Sequence, residues 1–285
     1  MSLNKTILNA FLLCILSVAA SAQTGSRPPA YPWHCADIWW TATAKTAEFY
    51  ELSIDFRVVG NVPDTVDLYI APFGLGEIGE TSLYGGVQTN AGGWPTKTDQ
   101  RIEGIGRGGI FSRWSADKRK IPVDFADGPP GAHFESADYE DNFVSVRRRV
   151  AWNAGSYTYI IRRARFMPTD NKFAWFTAYV RDNSSGVETE IGSLRIDGPN
   201  YALSRDLAAF VEVYGSTSII PVVTVIFGEP RVNGVYRPNT SARVLFPAND
   251  TKNKPRFATA SRQNREITIT LRPEGVNDKV SEQAL

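Results

Sequence analysis

The chain has 285 residues, 42% of them hydrophobic, enough to bury a full core in one large domain or in a domain with a small appendage. Its 31 Lys and Arg against 30 Asp and Glu leave a formal charge of +1, so no strong field draws it to nucleic acid. Aromatic residues make up 12%, a proportion that suits β-sheets and sugar-facing surfaces alike.

Residues 1–22 read as a targeting segment. Lys5 supplies a positive start, Ala10–Ala20 a short apolar run, and Ala20-Ser21-Ala22 a cleavage site before Gln23. The apolar run falls short of the ~20 residues a spanning helix needs, and no later stretch is long and apolar enough. The expectation is a secreted protein, or a periplasmic one in a Gram-negative cell, with no membrane span. Removing the segment takes Lys5 and Cys14 with it. The charge goes from +1 to 0, and Cys35 is left alone, so no intrachain disulfide forms. Sequons at Asn183, Asn239 and Asn249 are glycosylation candidates on surface loops.

Residues 23–47 are expected to form a leader and an aromatic cap, the cap being Tyr31–Trp40 (YPWHCADIWW). The alternation over Glu48–Val59 predicts a half-buried strand, with Tyr50, Leu52, Ile54, Phe56 and Val58 inward. Val66–Phe73 repeats the pattern after a Gly-Asn-Val-Pro-Asp turn, and Gly74–Thr81 reads as a loop. Strands are then predicted over Leu83–Asn90, Gly108–Trp114, Phe143–Val150, Ser156–Phe166, Lys172–Asp182, Glu188–Ile196, Leu207–Tyr214 and Pro221–Phe227. Lys118–Asn142 reads as a long irregular loop. Short strands at regular spacing, with no amphipathic helix longer than two turns, predict an all-β antiparallel sandwich or jelly roll over residues 48–234. Residues 235–285 read as a C-terminal extension with one or two strands, Ala242–Phe246 and Arg265–Arg272.

The segments Tyr84–Asn90 (YGGVQTN), Gly106–Trp114 (GRGGIFSRW), Phe143–Arg148 (FVSVRR), Trp152–Tyr157 (WNAGSY) and Ile191–Arg195 (IGSLR) resemble a group of secreted, largely bacterial proteins of unknown function. The resemblance spans about Glu48–Gly234 and implies a concanavalin-like jelly roll, the architecture of lectins, carbohydrate-binding modules and some polysaccharide lyases. It carries no catalytic residues to transfer.

Gly104, Gly106 and Gly109 match the dinucleotide fingerprint, but a strand-like Ile110–Trp114 follows where a helix N-terminus must hold the pyrophosphate. A bulge is the better account. Two histidines and one cysteine are too few for spaced zinc ligands. Asp138, Glu140, Asp141 and Asn142 offer oxygens for a structural Ca²⁺ ion, although acidic loops are commonly just solvated. No other metal or cofactor is expected.

Strand parity gathers Tyr84, Gln88, Asn90, Arg113, Arg147, Arg149, Trp175, Tyr179, Arg181, Glu212 and Tyr214 on one outward face. Rings stack on sugar faces, while Arg, Gln and Asn bond hydroxyls and carboxylates. The arginines favour an acidic glycan. The reading is a carbohydrate-binding, lectin-like protein without catalysis. One alternative is a lyase with Tyr179 as base and Arg113, Arg147 and Gln88 neutralising a uronate. Hydrolysis needs two carboxylates ~5–10 Å apart, and only Glu212 is expected on the face. A structural or protein-interaction domain is the other alternative.

Overall fold

The structure is a computed structural model that describes residues 34–93, 102–138, 141–164, 172–214, 220–246, 256–276 and 282–285. The targeting segment, the leader as far as residue 33, Glu140 and Asn249 lie outside the described residues. In chain order the strands are β1 (His34–Thr41), β2 (Glu51–Val59), β3 (Leu68–Ile78), β4 (Thr81–Gly93), β5 (Ile102–Trp114), β6 (Ala126–Asp127), β7 (Ala132–Ala137), β8 (Phe143–Arg149), β9 (Gly155–Arg163) and β10 (Phe173–Asp182). Then follow β11 (Glu188–Asp197), β12 (Asp206–Val213), β13 (Thr224–Gly228), β14 (Arg231–Val232), β15 (Val235–Tyr236), β16 (Ser241–Leu245), β17 (Arg256–Gln263), β18 (Glu266–Val276) and β19 (Glu282–Ala284). A single 3₁₀ turn, Val123–Phe125, interrupts them among the described residues.

The strands form two antiparallel sheets. The first runs β19-β16-β1-β12-β3-β4-β5-β8-β7, and the second β17-β18-β13-β2-β9-β10-β11-β6, with β14 and β15 attached beside β2. Their inner faces share one core. Ile38, Leu83, Phe111, Val144 and Val211 come from the first sheet, and Phe56, Tyr159, Phe176, Leu194, Phe227 and Ile269 from the second. Burying each such side chain contributes about 1.5–3 kcal/mol. The buried Tyr159 hydroxyl crosses the sandwich and donates to the Ile110 carbonyl at 2.9 Å. Gly85 makes room for it: a methyl group there would overlap that hydroxyl. The fingerprint glycines sit inside β5, where Gly104 and Gly106 take φ of 75° and 78° beside a register shift in the β4–β5 ladder. They form a bulge, with no helix after them.

Four expectations are corrected. From His34 onward the aromatic cap is β1, an interior strand of the first sheet. It carries no apolar–polar alternation because both its faces are buried. The glycine-rich stretch 74–78 continues β3 through two register shifts, and the chain turns only at Gly79 and Glu80. Within Lys118–Asn142 lie β6 and β7. The segment after Gly234 stands inside both sheets: β16 lies beside β1, β18 beside β13, and Val244, Phe246, Ile267 and Leu271 join the common core.

Candidate functional site

Parity holds along the predicted strands except at Arg113, but the predicted face does not stay together. Tyr84, Gln88, Asn90, Arg147, Arg149, Glu212 and Tyr214 belong to strands at or next to the first sheet, whereas Trp175, Tyr179 and Arg181 lie on β10 of the second. Ala174, Phe176, Ala178 and Val180 fill the core, so their neighbours turn to the opposite side of the sandwich from Tyr84. Arg113 belongs to neither outer face. It shares the parity of the core residue Phe111, and its guanidinium bonds the Arg195 carbonyl and Asp197 at the edge of the second sheet. Burial pushes its pKa down, opposed by the Asp197 charge. The arrangement of Tyr179 as base with Gln88, Arg113 and Arg147 as neutralisers is therefore not assembled.

The outer face of the first sheet is ordered in cross-strand rows. In one row Arg149, Gly108, Gln88, Tyr69, Glu212 and His34 lie opposite one another on β8, β5, β4, β3, β12 and β1. A parallel row carries Glu135, Ser145, Ser112 and Tyr84 on β7, β8, β5 and β4. Across these rows runs an apolar floor outside the main core, made by Tyr69, Ala71, Tyr84, Ile110 and Phe210, with Trp114 and Tyr214 packed against it. The rings of Tyr84 and Trp114 lie 4.4 Å apart, and Tyr69 meets Phe210 edge-on at 5.1 Å. The floor is buried, while Gln88, Trp114, Glu212, Tyr214 and His34 around it are half-exposed.

Most charge on this face is already matched. Arg147 forms a buried ion pair with Glu135. His34 Nδ1 and Asp37 lie 2.8 Å apart. Asn90 and Tyr214 hold each other: the Tyr214 hydroxyl donates to the Asn90 carbonyl and accepts from its amide. With Arg113 turned inward, Arg181 on the other sheet and Arg147 paired, Arg149 alone of the predicted arginines stands exposed on this face, and they do not gather into the cluster expected to select an acidic glycan. Three buried hydroxyls on the face, those of Tyr69, Ser112 and Ser145, have no hydrogen-bond partner among the described residues. Burial holds the Tyr69 phenol well above its ordinary pKa, so it remains a neutral donor.

The outer face of the second sheet is an ion-pair lattice. Arg162 bonds Glu51 at 2.6 Å and grips both oxygens of Glu188 at 2.6 and 2.9 Å. Arg231 and Thr158 both bond Asp55, at 2.8 and 2.7 Å. Trp175 lies opposite Arg195, which bonds Asp197 at 2.9 Å and covers the rings of Phe125 and Phe173. The Tyr179 phenol, under the Arg162 guanidinium, is raised by burial and then by the Glu190 charge, the wrong direction for a base.

Tyr69, Ser112, Trp114, Glu135, Phe210 and the His34–Asp37 pair are absent from the predicted face. Tyr69 was legible, since it alternates with the core residues Leu68 and Ile70. Glu135 was not, being set in a short strand after Pro129-Pro130-Gly131. No group of three or more His, Cys, Asp or Glu suited to a metal occurs among the described residues; Asp141 instead accepts from the Asn142 amide. Asn183 and Asn239 are exposed. No described helix is long and apolar enough to cross a membrane. A scan against protein-family models finds no match, and a search of curated proteins finds none either.

Proposed function

We propose that this is an exported carbohydrate-binding, lectin-like protein on a concanavalin-like jelly roll, and that its ligand lies on the outer face of the first sheet. One observation carries the reading. An antiparallel sheet with one solvent side ordinarily turns polar residues outward. Here that side holds an aromatic floor, crossed by a row with the half-exposed Gln88, Glu212 and His34 in register and flanked by the half-exposed Trp114 packed against it. A half-exposed ring seated on a buried aromatic floor, with a few polar groups converging beside it, suits a binding site. Because its charges are largely paired, the face suits a neutral saccharide, whose ring stacks on an aromatic side chain while its hydroxyls meet amide and carboxylate groups. Export follows the reading of residues 1–22, and the exported product should begin at Gln23 on N-terminal sequencing.

Affinity electrophoresis of the full chain against neutral and acidic polysaccharides tests the proposal. Retardation by a neutral polysaccharide is expected, abolished by Trp114→Ala and kept by Trp175→Ala. Equal retardation of the two variants, or none across the panel, overturns it.

A further inference from the structure

A second site lies away from that face, on the second sheet. The β17–β18 turn and the loop joining β15 to β16 border an open polar cleft of about 510 Å³, lined by Glu229, Tyr236, Arg237, Arg262, Asn264 and Arg265 among others. Its size is that of a small-ligand pocket. Three guanidinium groups and the single carboxylate of Glu229 line it, an excess of positive charge.

The fold does not account for that excess. Glu229, 3% exposed, takes Arg265 at 2.9 Å and Arg262 at 3.7 Å. Arg262 is otherwise spent on the Asn264 carbonyl and an oxygen of Leu285. Arg237 is 8% exposed, and among the described residues its guanidinium bonds only the carbonyls of Arg205 and Ala44, at 3.2 and 2.6 Å. No carboxylate among the described residues is within ion-pair distance of it. A buried charge without a counter-charge is costly. Its pKa is lowered by burial, with the Asp206 charge opposing. Arg265 uses one nitrogen on Glu229 and stacks 4.4 Å over the partly exposed Tyr236 ring, and its other donors have no hydrogen-bond partner among the described residues. A planar guanidinium fork is the side chain best matched to a carboxylate or sulfate.

We propose that this cleft is an oxyanion site, taking a sulfate or carboxylate between Arg237 and Arg265 beside the Asn264 amide. It is independent of the saccharide face. Calorimetric titration of the full chain with sodium sulfate, and separately with sodium glucuronate, each at fixed ionic strength set with chloride, provides the test. Saturable binding is expected, weakened about tenfold or more in Arg265→Gln and unchanged in Trp114→Ala. Arg265 is half-exposed, so its variant should fold, and circular dichroism checks that it does. Saturation by sulfate alone identifies an inorganic anion, and saturation by both ligands identifies an acidic sugar. No saturation beyond the chloride control, or equal affinity in Arg265→Gln, overturns the site.

Discussion

The two outer faces draw on the same residue types and put them to opposite use. On the second sheet, arginines and carboxylates pair across strands: Glu51, Arg162 and Glu188 in one line, Arg231 and Asp55 in another. On the first sheet, rings occupy the centre, one ion pair is sunk among them, and polar groups at the margin are half-exposed. Cross-strand hydroxyl pairs make the contrast sharpest. Thr177 and Ser193 face each other on the second sheet and are hydrogen-bonded at 2.8 Å. Ser112 and Ser145 face each other on the first, and neither hydroxyl has a partner among the described residues. Residue type at a solvent-side position thus says little about binding until one asks whether its neighbours have already satisfied it.

The largest expected difference lies in the ion pairs. Arg147→Ala should cost about 3–5 kcal/mol, because it leaves Glu135 charged and buried. Arg162→Ala, whose partners are about one-third exposed, should cost at most ~1 kcal/mol. Urea unfolding near neutral pH reads both, and the double variant Arg147→Met/Glu135→Leu should recover most of the loss. Equal costs for the two single variants would erase the distinction between the faces.

A smaller contrast follows from the hydroxyls. Ser193→Ala removes the partner of a buried Thr177 and should destabilise by about 1–2 kcal/mol. Ser145→Ala removes a hydroxyl with no bond to lose and should leave stability within about 0.5 kcal/mol of the parent, or raise it. A substantial loss in Ser145→Ala would show that its hydroxyl supports the fold after all.

Strands with one wet face were legible. Alternation placed Leu52, Ile54, Phe56 and Val58 on β2, and Ala174, Phe176, Ala178 and Val180 on β10, on the core side where they lie. β1 and the end of β3, residues 74–78, escaped because burial on both sides removes alternation, leaving only an aromatic or glycine-rich run. Arg113 shows a different limit. It follows Phe111 by two residues, so its parity is inward, and only the sandwich edge lets a guanidinium sit there. The site was half legible because parity fixes the side of a strand, whereas the choice of sheet is set by distant pairings. β12 lies between β1 and β3, and β13 between β18 and β2, partners that no local pattern names. A list of outward residues from Tyr84 to Tyr214 therefore merged two faces into one.

The smallest effect concerns acid. Arg162 holds the Glu188 carboxyl below the ordinary value of 4.5, chiefly through its hydrogen bonds, with burial opposing. A carboxyl depressed in the folded state binds fewer protons there than in the unfolded chain, so its contribution is complete above about 4.5 and fades as the pH falls through the lower folded value. With both partners about one-third exposed, the contribution should not exceed ~1 kcal/mol. Glu188→Gln should thus be slightly less stable than the parent at pH 6, with the two curves converging below pH 4.5 as the parent loses its advantage. Curves that stay parallel through that range would mean the Arg162–Glu188 pair adds nothing to stability, and the second face would then be an ion-pair lattice in geometry alone.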